Sequence, residues 1–193
     1  MNIRGIDKTS LIDYPGKISA VLFCGGCNLR CGYCHNPDIA RNSPHLETID
    51  NETALHFLKS RRKVLDGVTL SGGEPTLSKG LIPFIRSIKE IPLLVKLDTN
   101  GLNPGAVREL LDLNLLDYAA VDIKTSPEKY PSLTAKQTNF DDICITISHL
   151  RDSGIDFEVR TTCIPGYAEL DDFSRIRERI GKVRKYYLQQ FLP

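Results

Sequence analysis

The chain is predicted to be an α/β protein, a partial open (β/α)6 barrel, from the alternation and the number of its apolar segments. Six strand-like apolar segments alternate with amphipathic segments of helical length, a pattern typical of βαβ units around a parallel sheet. A complete eight-fold barrel needs about 250 residues, and this chain has 193. We therefore expect a barrel that stays open, formed by residues 1–193 as a single domain with a sizeable core.

The predicted elements follow from periodicity and from residues that begin or end helices. The strand candidates are Ile18–Phe23, Val68–Ser71, Leu93–Asp98, Tyr118–Ile123, Phe157–Cys163 and Tyr186–Gln190. Helices are expected near Asn51–Arg62, Ser78–Glu90, Pro104–Leu113, Phe140–Ser153 and Asp171–Val183. Residues 143–147 also alternate like a strand, but Ile143, Ile147 and Leu150 share one helical face and favour a helix.

Composition indicates a soluble protein of the cytoplasm. Hydrophobic residues make up 41% and charged residues 25% of the chain, both ordinary for a globular domain. A net charge of +1 gives no general attraction to nucleic acid or acidic membranes. No apolar run approaches the ~20 residues of a membrane span, and no signal-peptide pattern opens the chain. Of the six cysteines, Cys144 and Cys163 lie among apolar residues, and we expect both to be buried.

The most informative motif is Cys27-Asn28-Leu29-Arg30-Cys31-Gly32-Tyr33-Cys34-His35-Asn36, which follows an apolar strand. Three closely spaced thiolates can hold three irons of a 4Fe-4S cluster. The fourth iron then stays open to a substrate, as catalytic metal sites do. We therefore predict Cys27, Cys31 and Cys34 as metal ligands. With Cys24, the four thiols could instead bind a structural zinc, although they would crowd into a stretch shorter than zinc usually spans.

Two strand ends on the predicted sheet carry further polar groups, where functional residues of such barrels lie. The first is Ser71-Gly72-Gly73-Glu74-Pro75. Its glycines allow the backbone to pass close to a ligand, and its carboxylate could bind a ligand ammonium; a tight turn explains it equally well. The second is Asp98-Thr99-Asn100-Gly101, where Asn-Gly turn chemistry is also expected.

The two following strands end in pairs of opposite charge. Asp122 and Lys124 lie on one face of the fourth strand, and such a pair contributes little if it is an exposed ion pair. At a strand end it could instead bind the carboxylate and hydroxyls of a ligand. On the fifth strand Glu158 and Arg160 share a face, and they could pair with each other, or Arg160 could reach a cofactor.

The cysteine motif resembles that of the radical S-adenosylmethionine (radical SAM) superfamily. Its ending Tyr33-Cys34-His35-Asn36 is similar to activases of glycyl radical enzymes. The stretch from Lys8 to Lys17, KTSLIDYPGK, resembles the anaerobic ribonucleoside-triphosphate reductase activating proteins. The resemblance covers the chain from Ile3 to Phe191 and implies an open (β/α)6 barrel of the radical SAM type, with a 4Fe-4S cluster and S-adenosyl-L-methionine as cofactors.

The resemblance also implies a cofactor site. Together with the strand residues described above, the predicted cofactor-binding residues are Tyr33, Cys34, His35, Gly72, Gly73, Glu74, Pro75, Asp98, Asn100, Asp122, Lys124 and Arg160. By this similarity the Gly72–Pro75 motif holds the amino group of S-adenosylmethionine and Lys124 meets the methionine carboxylate. No catalytic side chain is needed beyond the cluster, because the cofactors supply the chemistry.

The function that follows is a radical SAM oxidoreductase that cleaves S-adenosylmethionine reductively and generates a glycyl radical on anaerobic ribonucleoside-triphosphate reductase. Its expected partners are that large glycyl radical enzyme and an electron donor such as flavodoxin or ferredoxin, with no nucleic acid and no membrane. One alternative is a small-molecule radical SAM enzyme such as 7-carboxy-7-deazaguanine synthase, whose cysteine loop tends to end Trp-Cys-Asp. A structural zinc-binding module is the other.

Overall fold

The structure is a computed structural model that describes residues 1–133 and 138–191. Its strands are β1 (Ile3–Ser10), β2 (Ser19–Cys24), β3 (Gly67–Gly72), β4 (Leu94–Thr99), β5 (Tyr118–Asp122), β6 (Asp156–Cys163) and β7 (Tyr186–Gln190). Its helices are α1 (Pro37–Ala40), α2 (Asn51–Arg61), α3 (Leu81–Lys89), α4 (Pro104–Asp112), α5 (Phe140–Ser153) and α6 (Leu170–Ile180). Short 3-10 turns lie at Pro75–Leu77 and Tyr130–Leu133.

The strands form one sheet in the order β1-β2-β3-β4-β5-β6-β7. From β2 to β7 every neighbouring pair is parallel, and β1 runs antiparallel to β2. β1 and β7 lie at opposite ends of this order, so the sheet of the described residues does not close. The prediction of six parallel strands with intervening helices in an open α/β barrel is confirmed.

Two local differences from the prediction have physical causes. β1 was not predicted, because it carries Arg4, Asp7 and Lys8 and is an edge strand with irregular register. α3 begins at Leu81 rather than at Ser78, because Gly80 precedes it in a left-handed conformation with φ 82°.

The predicted helix over residues 140–153 is confirmed as α5, with Ile143, Ile147 and Leu150 buried. The expectation that Cys144 and Cys163 are buried is wrong, since both are only partly buried. Cys144 lies where α5 meets the end of α6, with its sulfur 3.6 Å from the Arg179 carbonyl oxygen. Cys163 is the last residue of β6, where the strand emerges from the core.

The core lies between the sheet and the helices that cover it. α3 shows why: Leu81, Phe84, Ile85 and Ile88 share one face and are buried, and each such side chain stabilises the fold by roughly 1.5–3 kcal/mol. Because the strands β2 to β7 are parallel, their carboxyl ends meet at one end of the barrel. Among the described residues no helix is long and apolar enough to cross a bilayer.

Candidate cofactor site

A cavity of about 490 Å³ opens at the carboxyl ends of the parallel strands. The predicted site residues that line it are Cys27, Cys31, Tyr33, Cys34, His35, Gly72, Gly73, Asp98, Asn100, Asp122 and Lys124. Glu74, Pro75 and Arg160 are not among its lining residues. The structure thus brings most of the predicted residues together around one space.

The cysteine triad (Cys27, Cys31 and Cys34) lies on the cysteine loop, residues 25–36, between β2 and α1. All three thiols are free and partly buried, and all three line the cavity. Burial raises the pKa of Cys27 to about 11 and also raises the pKa of Cys31. Bound iron would offset this cost, because a metal ligand must be a thiolate.

The arrangement suits a cluster better than a single metal ion. In the described part of the chain, no three His, Cys, Asp or Glu side chains are grouped so that they could hold one metal ion. The ligands of a 4Fe-4S cluster can lie farther apart, because each cysteine ligates a different iron. Three free thiols on one wall of a roomy cavity therefore fit that cluster.

Cys24 is separated from the triad by its environment. It is the last residue of β2, it is fully buried, and it does not line the cavity. Burial, with a smaller contribution from the charge of Glu74, raises the pKa of its thiol to about 12. Cys24 is thus a core residue, and the structure does not support a zinc site made of four cysteines.

The cysteine loop is held by hydrogen bonds to its own backbone and to β5. The Arg30 guanidinium donates to the Cys27 carbonyl oxygen at 2.8 Å. The Tyr33 hydroxyl donates to the carbonyl oxygen of Lys124 at 3.0 Å, just after β5. The ring of Tyr33 also packs edge-on against Tyr167, with centroids 4.9 Å apart. These contacts fix the loop relative to the strand ends.

The paired glycines at the end of β3 allow a close approach of two backbones. A Cβ on Gly73 would lie 2.1 Å from the carbonyl oxygen of Gly26. The Gly73 and Glu74 N–H groups donate to the carbonyl oxygens of Cys24 and Gly26, each at 2.8 Å. Because Gly72 and Gly73 also line the cavity, only their backbone atoms can contact a ligand there.

The Glu74 carboxylate is fully engaged within the protein. It is 1% exposed; one oxygen accepts from the Thr76 and Thr99 hydroxyls at 2.6 and 2.8 Å, and the other accepts from the Asn100 N–H at 2.7 Å. Burial raises its pKa, and these hydrogen bonds oppose that shift. Glu74 thus joins the ends of β3 and β4 through hydrogen bonds, and buried Pro75 begins the 3-10 turn that follows.

Arg160 lies at the centre of a network of carboxylates rather than at the cavity wall. Its guanidinium donates to both oxygens of Asp122 at 2.8 and 3.1 Å. It also lies 3.2 Å from Asp98 and 3.6 Å from Glu158. Buried Lys96 completes this network through an ion pair with Asp98. Arg160 therefore orients Asp98 and Asp122, both of which line the cavity.

Asp122 and Lys124 present opposite charges to the cavity. Their charged atoms are 3.6 Å apart, and their side chains are 23% and 25% exposed. Burial disfavours the ionised form of Asp122, but Arg160 and Lys124 outweigh it and hold the pKa of the carboxyl well below its usual range. An ionised carboxylate beside an ammonium suits the amino and carboxylate groups of an amino-acid moiety.

Sequence reasoning missed several polar residues of the lining. Ser71, Thr99 and Thr162 line the cavity from the ends of β3, β4 and β6. The rule that strand ends carry function could have identified them, because each is a polar residue at a strand terminus. Arg41, just after α1, also lines the cavity, and nothing in its local sequence distinguishes it.

Comparison with known proteins agrees with this site. Residues 21–180 match the Radical SAM superfamily. A Methanocaldococcus jannaschii protein named as a glycyl-radical enzyme activating enzyme is 35% identical over 199 residues, covering 99% of this chain and 80% of the relative. The pyruvate formate-lyase-activating enzyme of Clostridium pasteurianum is 30% identical over 200 residues, covering 99% and 81%.

A solved structure shows the same fold. Streptococcus suis SuiB bound to S-adenosylmethionine superposes with a TM-score of 0.67 at 13% identity. The match covers 90% of this chain and 42% of the SuiB chain, so the likeness concerns the barrel that the two proteins share.

Proposed function

Because this chain belongs to the radical SAM superfamily and to its activating enzymes of glycyl radical enzymes, we propose that it generates a glycyl radical on anaerobic ribonucleoside-triphosphate reductase. The cofactors of the family are a 4Fe-4S cluster and S-adenosylmethionine. The observation that carries the proposal is the shared cavity of the cysteine triad and Lys124. The superfamily match argues against a purely structural zinc module, and the two activating-enzyme relatives favour an activase over a small-molecule enzyme.

The cysteine triad holds the cluster in this proposal. Bound there, the cluster and S-adenosylmethionine would supply the reductive radical chemistry that takes hydrogen from glycine, with the electron coming from a donor such as flavodoxin or ferredoxin. The chain itself contributes position: hydrogen bonds from Arg30 and Tyr33 fix the loop that carries the thiols.

The strand ends bind the methionine part of the cofactor. Lys124 offers its ammonium to the carboxylate, and the backbone of Gly72 and Gly73 offers carbonyl oxygens to the amino group. Asp98 and Asn100, both nearly buried in the lining, provide polar groups for the remaining hydroxyls. Glu74 and Arg160 were expected to contact the cofactor. In this proposal they position neighbouring residues instead, because their side chains are hydrogen-bonded within the protein.

The choice of the reductase rests on the segment from Lys8 to Lys17, which resembles the activators of that enzyme, and on the Tyr33–Asn36 ending. The open side of the barrel agrees with a protein substrate, because the sheet of the described residues does not close. A second candidate partner is pyruvate formate-lyase, favoured by the 30% identity to the activating enzyme of Clostridium pasteurianum.

One experiment tests the function and separates the two partners. The reconstituted protein, reduced anaerobically, is mixed with S-adenosylmethionine and either the reductase or pyruvate formate-lyase of the source organism. We expect a doublet electron paramagnetic resonance signal in the reductase, lost when its radical glycine is changed to alanine. A signal in pyruvate formate-lyase alone would identify the second partner, and no signal in either would refute the activase function.

A further inference from the structure

The two edges of the sheet differ in how they are protected against another strand. β1 carries charged residues, and its register shifts twice along its pairing with β2; charges and bulges are usual protections of an edge. β7, with the sequence Tyr-Tyr-Leu-Gln-Gln, has no charge, no proline and a continuous register with β6. Within residues 1–133 and 138–191, β7 pairs with β6 and with no other strand.

The register shows which backbone groups of β7 are free. The Val159 N–H donates to the carbonyl oxygen of Lys185 at 2.9 Å, and Tyr186 lies opposite Val159. In a parallel pair the residues on one strand alternate between the two sides. The N–H and carbonyl groups of Tyr186, Leu188 and Gln190 therefore point away from β6, at the sheet's edge.

Exposure agrees with an uncovered edge. Tyr187 and Leu188 are 50% and 52% exposed, and the last four residues of β7 are all exposed. Aromatic side chains such as that of Tyr187 are common in strands. β7 thus offers both backbone groups and apolar side chains.

The carboxyl end of β7 leads to the cavity. Gln189 lies opposite Thr162, which lines the cavity. The ring of Phe191, directly after the strand, is 5.4 Å from the ring of His35, another lining residue. A chain extended along the edge of β7 would therefore reach the cavity mouth just beyond the strand.

The other end of β7 is positively charged. Lys182 and Arg184 precede the strand and are both exposed. In the described part of the chain neither forms an ion pair. Acidic side chains of a docked segment would be attracted to this end.

We propose that the free edge of β7 binds an extended, glycine-bearing segment of the glycyl radical enzyme by strand addition. Acidic residues of that segment lie against Lys182 and Arg184, and its glycine lies beyond the end of β7 at the cavity. Backbone hydrogen bonds supply the affinity in this mode of recognition. The proposal rests on the proposed function and adds to it the surface that presents the substrate.

Two substitutions at one position test the docking. Leu188→Pro removes an N–H that points outward, so pairing with β6 is retained, as proline on an edge strand allows. Leu188→Ala removes the same side chain and keeps the N–H. We expect both variants to keep their iron. The partner concentration that gives half-maximal radical formation should be about tenfold higher for Leu188→Pro than for Leu188→Ala, as the loss of one backbone hydrogen bond allows.

The outcomes separate the two proposals. If wild-type protein makes the radical and the proline and alanine variants behave alike, the docking proposal fails and the activase function stands. If wild-type protein makes no radical on either enzyme, both fail. If sedimentation shows a dimer that Leu188→Pro dissociates without any change in activation, the edge binds a second copy and the proposal is overturned.

A second measurement does not depend on the folding of a variant. A short synthetic peptide spanning the partner's radical glycine is N-methylated at alternate backbone positions, in two versions. Strand addition predicts that one version loses binding to wild-type holoprotein and the other keeps it, because only alternate residues face β7. Equal binding of the two versions would overturn the proposal.

Discussion

Adding a single methyl group at Gly73 should destabilise the protein and disturb the cysteine loop. In Gly73→Ala the new Cβ would lie 2.1 Å from the oxygen and 2.7 Å from the carbon of the Gly26 carbonyl. Both are backbone atoms, so no side chain can turn aside, and one of the two chain segments must move. Gly26 directly precedes Cys27, and the movement therefore reaches the cysteine triad.

The magnitude follows from the contacts at this point. Two backbone hydrogen bonds join the segments, from Gly73 to Cys24 and from Glu74 to Gly26, each worth about 0.5–1.5 kcal/mol. Overpacking adds typically about 1–3 kcal/mol. The two effects overlap because relief of the clash lengthens the hydrogen bonds, so we expect a loss of about 2–4 kcal/mol in the free energy of unfolding.

Gly105→Ala is the matched control. Among the described residues, no heavy atom beyond its chain neighbours and its own helix backbone lies within 4 Å of a Cβ at this position. Gly105 lies in α4, where alanine is favoured over glycine by up to about 1 kcal/mol. Urea denaturation of both variants without cluster gives the free energies, and iron per chain after reconstitution reports the loop. If Gly73→Ala matches Gly105→Ala in stability and iron content, the close backbone approach is wrong.

Three further predictions concern the cavity and its surroundings. Replacing any member of the cysteine triad by alanine should abolish S-adenosylmethionine cleavage. Cys24→Ala should keep its iron and lose roughly 1 kcal/mol of stability, as for one buried methylene-sized group. A Cys24→Ala protein without iron would contradict the separation of Cys24 from the triad. Lys124→Met should weaken equilibrium binding of S-adenosylmethionine about tenfold to hundredfold by removing a charge-assisted hydrogen bond, with iron content unchanged. The pKa of Asp122 is lowered from 3.8 in the folded protein, so the ionised carboxylate stabilises the fold above that pH and this contribution is lost as the pH falls. Between about pH 4 and pH 2, the free energy of unfolding should therefore decrease less in Asp122→Asn than in the wild type. Equal decreases in urea titrations over this range would refute the prediction.

The parallel strands and the position of the cysteine triad after the first of them were predictable because each depends on a short stretch of sequence. Three of the six strand candidates (Ile18–Phe23, Leu93–Asp98 and Tyr118–Ile123) are mostly apolar, since a parallel sheet covered by helices buries its strands. β1 was not predicted, because it is an edge strand that keeps its charged residues in solvent. The cysteine spacing likewise needs no distant residue for its interpretation.

The roles of Glu74 and Arg160 were not predictable in the same way, because they depend on neighbouring strands. Whether Glu74 faces a ligand or the protein is decided by the Thr99 hydroxyl and the Asn100 N–H, which the parallel register of β4 brings beneath it. Sequence places Glu74 at a strand end but carries no information about which donors the next strand supplies.

Arg160 affects the site through the charge it places beside Asp122. A buried ion-pair network gives weak evidence for stability, because desolvation of the charges offsets their attraction. Its consequence here is electrostatic: Arg160 is shared among Asp98, Asp122 and Glu158, and it keeps Asp122 ionised. The Asp122 carboxylate lies 2.8 Å from the Arg160 guanidinium but 3.6 Å from the Lys124 ammonium. The Lys124 ammonium is therefore held only loosely by Asp122. Lys124 therefore remains at the cavity wall, as the prediction that this strand end binds a ligand requires.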